Sequence, residues 1–355
     1  MLEYSCFQEL TSSWEYLKET KLPIFIYGMG DGCLKLLDQF KKYDIKETGI
    51  FASDEFVRGH SFVGHLVKTY AQVQEEFKEF VIVLAFGAGY PALIERIDFL
   101  ATKHRLLVPD TAVVGIGDPF TKEYLKGNFE KAKKVYNLLA DDFSKKVFQN
   151  LISYKITGDI KYLREVTTDP DEAYNNILML EKDSTYVDLG AYNGDTVREF
   201  LSYTNGSYKE IYAVEPNKRN FRKLSEATGD LKNCFCINGV AWSSSGEILF
   251  SKEGGRMARV DEKGVLTACV SVDDVLNDKK PDYIKYDVEG AEKQAVQGSE
   301  KTISEFSPKL CVALYHRLED LFDLPLQINE INSNYKFYIR HYPYYPAWET
   351  NLFCV

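Results

Sequence analysis

Short apolar runs alternate with amphipathic stretches along the first third of the chain. These apolar runs predict strands near residues 24–27, 48–52, 66–69, 81–86 and 105–108, the first of them buried. Between them, apolar residues recur every three or four positions, as at Leu34, Leu37 and Phe40, which predicts helices. Alternation of strands and helices is typical of a parallel sheet covered by helices. Residues 1–117 are therefore predicted to form an N-terminal α/β domain.

The pattern changes twice after that domain. Residues 118–180 are rich in lysine and aromatic residues with helical spacing, and are predicted to be a helical connector. From residue 181 the alternation resumes, which predicts a second, larger α/β domain over residues 181–355. Its seven strands are expected near residues 186–189, 210–214, 234–238, 283–286, 309–314, 335–339 and 350–355.

Composition narrows the class of protein. The 355 residues are 45% hydrophobic and 14% aromatic, enough for globular cores. Lys and Arg number 43 against 53 Asp and Glu, a formal net charge of −10, which disfavours a phosphate backbone as partner. We therefore expect no nucleic-acid substrate. The sequence leaves the oligomeric state open, with a homodimer as one alternative.

The cysteines, the N-terminus and the longest apolar run indicate in which cellular compartment the protein is expected. The seven cysteines include no C-x-x-C pair, so we expect a reduced, cytoplasmic protein without structural zinc. The N-terminus has neither a basic nor an apolar leader region. The longest apolar run, residues 81–88, is too short to cross a bilayer, so we expect no integral membrane segment.

Residues 185–217 carry the clearest chemical signal. A predicted strand ends at Asp188, a glycine turn follows with Gly190 and Gly194, and the next strand ends at Glu215. Such a turn lets a ligand approach the backbone, and an acidic residue after the next strand can hold two ribose hydroxyls. With Asp195, the turn is acidic where a pyrophosphate would require positive charge. The pattern favours a nucleoside that carries a cation, such as S-adenosylmethionine.

A first glycine turn, at Gly28, Gly30 and Gly32, leaves an alternative open. It would suit a nicotinamide-dependent, sugar-modifying oxidoreductase, although Cys33 stands at the third fingerprint position and Asp31 would repel a pyrophosphate. Two further alternatives are a nucleotide-sugar or glycan site and a ligand-free scaffold or dimerisation domain. A non-catalytic ligand-binding or assembly protein is the last alternative.

Three segments together resemble the FkbM-type S-adenosylmethionine-dependent methyltransferases. They are Val-Asp-Leu-Gly-Ala-Tyr-Asn-Gly-Asp-Thr at 187–196, Glu-Pro-Asn at 215–217 and Ile-Lys-Tyr-Asp-Val-Glu-Gly-Ala-Glu at 284–292. Residues 315–321, 338–341, 51–59 and 138–144 extend the resemblance over most of the chain. Asn193 departs from the family, which often carries aspartate there.

The resemblance implies a class I, seven-stranded, Rossmann-like methyltransferase domain preceded by a smaller Rossmann-like α/β domain. It also implies O-methylation of a hydroxyl on a sugar, glycan precursor or secondary metabolite, with S-adenosylhomocysteine as the product. The expected cofactor contacts are Asp188, Gly190, Tyr192, Asn193, Gly194, Asp195, Thr196, Glu215, Pro216, Asn217, Gly239, Val240 and Asp287.

Polar residues after the later strands suggest the catalytic groups. Asp287 follows the fourth predicted strand, His316 the fifth and His341 the sixth, so all three are expected at one rim of the sheet. We expect His316 to be the general base and Asp287 to orient the acceptor, with His341 or Arg340 contacting it.

Further acceptor contacts are expected from Glu289 and Tyr315. A structural alternative is that Glu289 or Glu292 caps the following helix. No metal is expected. A divalent ion at Asp287 and Glu289 remains a less favoured alternative, since oxygen ligands suit magnesium.

Overall fold

The computed structural model describes residues 2–115, 117–250 and 264–355, and of Phe250 only the backbone. Within these ranges a small parallel sheet and a larger, mainly parallel sheet are each connected through helices, which confirms the predicted α/β class. A large apolar cluster runs from one sheet to the other and includes Tyr27, Phe148 and Tyr286. The domain boundaries at residues 117 and 180 remain a prediction.

The N-terminal sheet is small and wholly parallel. Its strands and the neighbouring hairpin are β1 (Ile24–Tyr27), β2 (Gly49–Phe51), β3 (Ser61–Phe62), β4 (His65–Leu66), β5 (Val81–Leu84) and β6 (Arg105–Leu107), with sheet order β2-β1-β5-β6. The strand expected near residues 66–69 is shorter and shifted: β4 pairs with β3, and beyond it Lys68 forms a parallel bridge with Phe51 of β2. Thr69 caps the next helix: its hydroxyl oxygen accepts from the Gln72 backbone amide, and the Gln72 side-chain oxygen accepts from the Thr69 backbone amide.

Helices cover this sheet and fill the middle of the chain. They are α1 (Ser5–Gln8), α2 (Ser13–Glu19), α3 (Asp31–Tyr43), α4 (Tyr70–Glu76), α5 (Pro91–Lys103), α6 (Lys122–Gly127), α7 (Phe129–Leu138), α8 (Asp142–Thr157), α9 (Lys161–Arg164) and α10 (Pro170–Ala173), with a 3-10 turn at Asp54–Phe56 and a π-helix at Tyr174–Leu178. Helix α8 starts where Asp141 accepts from the Ser144 amide and ends at left-handed Gly158.

The C-terminal sheet has seven strands, as predicted. They and a second, three-stranded sheet are β7 (Thr185–Leu189), β8 (Glu210–Val214), β9 (Cys234–Ile237), β10 (Val240–Ala241), β11 (Gly246–Phe250), β12 (Val265–Val270), β13 (Tyr283–Tyr286), β14 (Lys309–Ala313), β15 (Phe337–His341) and β16 (Thr350–Cys354). The order of the large sheet is β15-β16-β14-β13-β7-β8-β9, and β16 runs antiparallel to both of its neighbours.

Two details of this half differ from expectation. The small sheet β10-β12-β11 was not predicted, since its strands are short or strongly exposed. Strand β15 begins at Phe337, two residues later than expected, and the Tyr335 hydroxyl before it donates to the carbonyl of Pro308. The helices here are α11 (Asp195–Tyr203), α12 (Lys218–Ala227), α13 (Val272–Leu276), α14 (Glu292–Gln297), α15 (Glu300–Phe306) and α16 (Asp320–Ile331).

The carboxyl edges of the two sheets meet at a seam. Ala88, beyond β5, exchanges backbone hydrogen bonds of 2.6 and 3.0 Å with Tyr345, which precedes β16. The Tyr345 hydroxyl also lies 3.2 Å from Arg164 Nε and 3.0 Å from Asp98. Residues 342–349, here called the seam loop, therefore join both halves. No helix in the described part of the chain is long and apolar enough to cross a membrane.

Candidate active site

A close backbone approach marks the centre of the C-terminal sheet. Strands β8 and β9 lie on one side of β7, whereas β13 lies on its other side. The strand order therefore reverses between β7 and β13. Ligands of open α/β sheets bind in the crevice at such a point. Here Gly190 has φ of 92°, and a β-carbon on it would stand 1.9 Å from the Asp287 carbonyl oxygen. Only glycine fits this turn.

Asp188 forms the floor of the crevice. It is fully buried, and its Oδ2 accepts a 2.5 Å hydrogen bond from the Thr196 hydroxyl. Its Oδ1 is buried without a hydrogen-bond partner among the described residues. Burial raises the pKa of Asp188 to about 6, although nearby Lys285 and the Thr196 bond oppose the rise. Asp188 thus offers one unused acceptor oxygen.

Glu215 lies opposite, beyond β8. The residue is 6% exposed, and its two oxygens accept from the backbone amides of Tyr192, at 3.1 Å, and Asn217, at 2.8 Å. Burial raises the pKa of Glu215 to about 7, which the same two amides counteract. The Asn238 amide group donates to the Glu215 carbonyl, so the strand ends are joined here.

The other expected cofactor contacts follow β7, β8 and β9 along the chain. Tyr192 has φ of 44° and a half-exposed ring, and Asn193 contacts Arg198 at 3.4 Å. Gly194, Asp195 and Thr196 form the left-handed entry and the first turn of α11, and Pro216 and Asn217 form the entry to α12. Gly239 borders β12, and Val240 in β10 pairs with Cys269.

Asp287 lies across the crevice from this group. Its Oδ2 accepts from Lys285 Nζ at 3.0 Å, and its Oδ1 accepts from the Tyr315 hydroxyl at 3.3 Å. Burial acts to raise the pKa of Asp287, but the cations Lys285 and His316 outweigh it and hold the pKa below its usual value. Asp287 is therefore a carboxylate near neutral pH, with a side chain 27% exposed.

His316 is held among three carboxylates. Its Nδ1 lies 2.8 Å from Glu292 Oε1, and its Nε2 lies 3.6 Å from both Asp287 Oδ1 and Glu289 Oε2. Burial acts to lower the pKa of His316, but Glu292 and then Asp287 and Glu289 raise it to about 9. The imidazolium is thus the main form at neutral pH, and a general base must first lose that proton.

Two acidic residues join this cluster without having been assigned a site role. Glu292 is fully buried, and its Oε1 also accepts from the Val288 amide at 2.9 Å. Glu292 ends the 284–292 segment that carries the family resemblance, so the sequence could have marked it as a site residue. Glu349 ends the seam loop at φ of 63°, and burial, followed by Asp287, raises its pKa to about 7. No local pattern marks Glu349, which only the antiparallel β16 brings here.

Arg340 and His341 make contacts of another kind. The Arg340 guanidinium pairs with Glu172 at 2.6 Å and with Asp141 at 2.8 Å, and so ties β15 to α8 and α10. His341 is fully buried, with Nδ1 3.0 Å from the Thr350 hydroxyl. Burial lowers the pKa of His341 to about 3, so it stays neutral. Arg340 and His341 were expected to contact the methyl acceptor. That remains a prediction, and the observed contacts of the two side chains do not support it.

The first glycine turn also lies at a strand-order reversal, between β1 and β5. A β-carbon on Gly32 would stand 2.0 Å from the Ala85 carbonyl oxygen, but one on Gly28 would meet the Phe86 ring at 2.4 Å. The Phe86 side chain thus lies against the turn. Within the described residues, no group of three or more His, Cys, Asp or Glu side chains is arranged to hold a metal ion.

Comparison with known proteins identifies the C-terminal half. Residues 188–338, which contain both sides of the crevice, match the sequence model of the methyltransferase FkbM domain. The chain carries a methyltransferase domain of the FkbM family. A search of curated protein sequences found no match.

Solved structures extend the likeness in fold. The methyltransferase FkbM from Methylobacillus flagellatus KT is 21% identical, with 94% of this chain and 90% of that one covered at a TM-score of 0.73. Fibrillarin from Aeropyrum pernix, in complex with S-adenosyl-L-methionine, is 14% identical over 49% of this chain and 67% of its own, at a TM-score of 0.33. An rRNA methylase from Streptococcus thermophilus is 14% identical over 53% of this chain and 95% of its own, at 0.36. The first shares its fold with both halves of this chain.

Proposed function

We propose that this methyltransferase uses S-adenosylmethionine and transfers the methyl group to a hydroxyl of a sugar, glycan precursor or secondary metabolite. The observation that carries the proposal is the contact of Gly190 with the Asp287 carbonyl, at the strand-order reversal next to Asp188. It leaves a backbone-lined crevice with acidic walls, which suits a nucleoside bearing a positive charge better than a dinucleotide.

The residues of the crevice suit the parts of such a donor. Glu215 can accept hydrogen bonds from the two ribose hydroxyls, since a carboxylate has acceptor sites beyond those its two amide partners use. The unused Oδ1 of Asp188 can accept from the amino group of the methionine portion. When bound, S-adenosylmethionine supplies a methyl group on a positively charged sulfur.

Asp287, His316 and Glu292 supply the proton chemistry. Glu292 bonds His316 Nδ1, which leaves Nε2 facing Asp287 and Glu289. In its neutral form, Nε2 can take the proton of an acceptor hydroxyl while Asp287 orients that hydroxyl. Orientation supplies much of the acceleration in a displacement of this kind. The raised pKa makes His316 a strong base that is deprotonated in only a minority of molecules at neutral pH.

Calorimetry with S-adenosylhomocysteine and with NAD tests the donor. We expect S-adenosylhomocysteine to bind and NAD not to bind. Glu215→Gln should weaken the binding of S-adenosylhomocysteine about 10- to 100-fold, because hydrogen bonds to a charged acceptor are lost. Glu226→Gln is the matched control, since Glu226 is exposed on α12. Folded protein that gives no heat with S-adenosylhomocysteine would rule the proposal out.

The methyl linkage tests the acceptor class. Methyl transferred from radiolabelled S-adenosylmethionine to an alcohol gives an ether, which survives alkaline treatment, whereas a methyl ester is hydrolysed. We expect an alkali-stable product that is neutral in charge. Label recovered on an amine or as an alkali-labile ester would contradict O-methylation of a hydroxyl.

A further inference from the structure

A buried carboxylate oxygen in the candidate active site lacks a hydrogen-bond donor. Glu292 is fully buried, and its Oε1 accepts from His316 Nδ1 at 2.8 Å and from the amides of Val288, at 2.9 Å, and Gly290, at 3.4 Å. Its Oε2 is also buried but accepts from no group among the described residues. Buried polar atoms of proteins normally have a partner, because leaving one unpaired costs about 1–3 kcal/mol.

Asp320 is a second buried carboxyl group close to His316. It is 2% exposed, and its Oδ2 accepts at 2.7 Å from the amide of Arg317, the residue that follows His316. Glu292 is the first residue of α14 and Asp320 the first residue of α16, and these two helices pack against each other. Glu292 is thus held at His316 by direct contact, and Asp320 through the amide of the next residue.

The charge balance favours a proton on Asp320. The ion pair of His316 with Glu292 is neutral overall, and in the described part of the chain no Lys, Arg or His side chain pairs with Asp320. A buried carboxylate without a cation takes up a proton instead of remaining charged. Burial, followed by the charge of Glu292, raises the pKa of Asp320 well above its usual value.

The surrounding groups also disfavour a further negative charge. Lys285 pairs with Asp287 at 3.0 Å, and Arg317 Nε donates to a backbone carbonyl, so both of these cations are engaged elsewhere. Tyr124 of α6 faces Asp320 and stays neutral, because burial and the nearby carboxylates raise its pKa. The other acidic groups that act on His316 or Asp320 are Asp287, Glu289, Glu319 and Glu349.

We propose that Asp320 is protonated in the folded protein and that its carboxyl O–H donates to Glu292 Oε2. The unpaired oxygen thereby gains its donor, and hydrogen bonds run from Asp320 through Glu292 to His316. This donation withdraws negative charge from Glu292, so His316 holds its proton less tightly than it would beside a free carboxylate. Asp320 is a positioning residue that acts on the base through Glu292. Its part in catalysis rests on the proposed methyl transfer, whereas its proton does not.

Infrared difference spectra of the full-length protein test the proton directly. They are recorded at about pH 8, where the other carboxyl groups with pKa values raised to about 6 or 7 are mainly ionised. These groups are Asp188, Glu215 and Glu349. We expect the wild-type spectrum minus that of Asp320→Asn to contain the carbonyl band of a protonated carboxyl group.

Asp323→Asn is the matched control. Asp323 lies on the same helix, and its Oδ1 is 2.7 Å from Lys131 Nζ, so it should be ionised. The wild-type spectrum minus that of Asp323→Asn should therefore lack the carbonyl band. Absence of the band from the Asp320→Asn difference as well would overturn the proposal.

The pKa of His316 tests the path through Glu292. It is measured from the ring-nitrogen signals in nuclear magnetic resonance, and His316→Asn identifies the signal among the five histidines. Asp320→Asn is neutral and can still donate to Glu292, so the pKa of His316 should stay within about 0.3 of its wild-type value. Asp320→Leu cannot donate, so the pKa of His316 should rise by about 0.5–1.

An ionised Asp320 would give the opposite result. Asp320→Asn would then remove a negative charge, and the pKa of His316 would fall by about 1 or more, which overturns the proposal. Since Asp320→Asn keeps an acceptor for the Arg317 amide, this variant decides the question even if Asp320→Leu fails to fold. Asp323→Asn should leave the pKa of His316 unchanged.

The pH dependence of turnover connects Asp320 to catalysis. The profile of Asp320→Leu should move to higher pH by about 0.5–1, and that of Asp320→Asn should follow the wild type. A purely structural role would lower the rate without moving the profile. Calorimetry with S-adenosylhomocysteine separates the failures. Absent heats in the folded wild type remove the proposed function, whereas normal heats with a lowered pKa of His316 in Asp320→Asn remove the role of Asp320 alone.

Discussion

The α-carbon of Gly190 and the carbonyl oxygen of Asp287 lie so close that a β-carbon at residue 190 would stand 1.9 Å from that oxygen. This contact joins the turn after β7 to the end of β13, where the strand order reverses. It brings Asp188 and Glu215, which are proposed to bind the methyl donor, next to Asp287 and His316, which are proposed to handle the proton. The two sets of residues therefore form one site.

Gly190→Ala should disrupt both folding and donor binding. The substitution places a β-carbon against backbone and forces alanine to φ of 92°. Gly206→Ala is the control, with φ of 77° and no atom within 4 Å of the added carbon. In the control, the backbone conformation alone should lower the unfolding free energy by about 1–2 kcal/mol. At residue 190 the clash should lower it by about 1–3 kcal/mol more. Urea unfolding measures both, and equal losses would show that the crevice can widen.

Donor affinity should rise with pH around neutrality. Burial raises the pKa of free Glu215 to about 7, and ribose hydroxyls that donate to the carboxylate favour its ionised form. The pKa therefore falls on binding, so S-adenosylhomocysteine releases a proton and binds more tightly at about pH 8 than at about pH 6. Calorimetry in buffers of different ionisation enthalpy measures the release. Glu215→Gln should abolish the part of the release that belongs to Glu215, and an unchanged release would assign it to another group.

Turnover should increase with pH toward about 9 if Nε2 of His316 takes the acceptor proton. The neutral imidazole is the active form, and its fraction grows tenfold per pH unit below that pKa. His316→Asn should remove this increase and most of the turnover while the affinity for S-adenosylhomocysteine stays near that of the wild type. A rate independent of pH in the wild type would exclude His316 as the base.

The same proton contributes to folding. The pKa of His316 is raised from 6.5 to about 9 in the folded chain, so its stabilisation is fully present below about pH 6.5 and is lost as the pH rises through 9. The difference in unfolding free energy between wild type and His316→Asn should therefore fall by up to about 3 kcal/mol over this interval. Urea titrations at several pH values measure it, and a constant difference would show that the carboxylates do not hold the proton.

Arg340 should act through stability. Its guanidinium is paired with Asp141 and Glu172 and its side chain is 4% exposed, so Arg340→Met leaves two carboxylates without their partner. We expect a loss of about 3–5 kcal/mol in unfolding free energy, with donor affinity unchanged in the folded protein. Arg222→Met is the control, because Arg222 is 73% exposed and should contribute about 0–1 kcal/mol. Lost turnover at full stability would instead support the predicted acceptor contact.

Local sequence determined the alternating elements and the donor crevice. Strand and helix periods follow from which side chains must be buried, and a glycine between Asp188 and Ala191 marks a turn where a β-carbon is excluded. Each of these features depends on residues within a few positions of one another. The seven-stranded sheet and the positions of Asp188 and Glu215 at strand ends could therefore be predicted without coordinates in space.

Tertiary structure alone decided the charge states and the seam. The pKa of His316 depends on Glu292 and Asp287, 24 and 29 positions away in the chain, and Glu349 reaches the cluster only through the antiparallel β16. The pairing of Arg340 with α8 and α10, like the backbone pairing of Ala88 with Tyr345, requires segments that are far apart in sequence. Electrostatic interactions depend on distances in space between residues far apart in the chain, and the period of apolar residues does not give those distances.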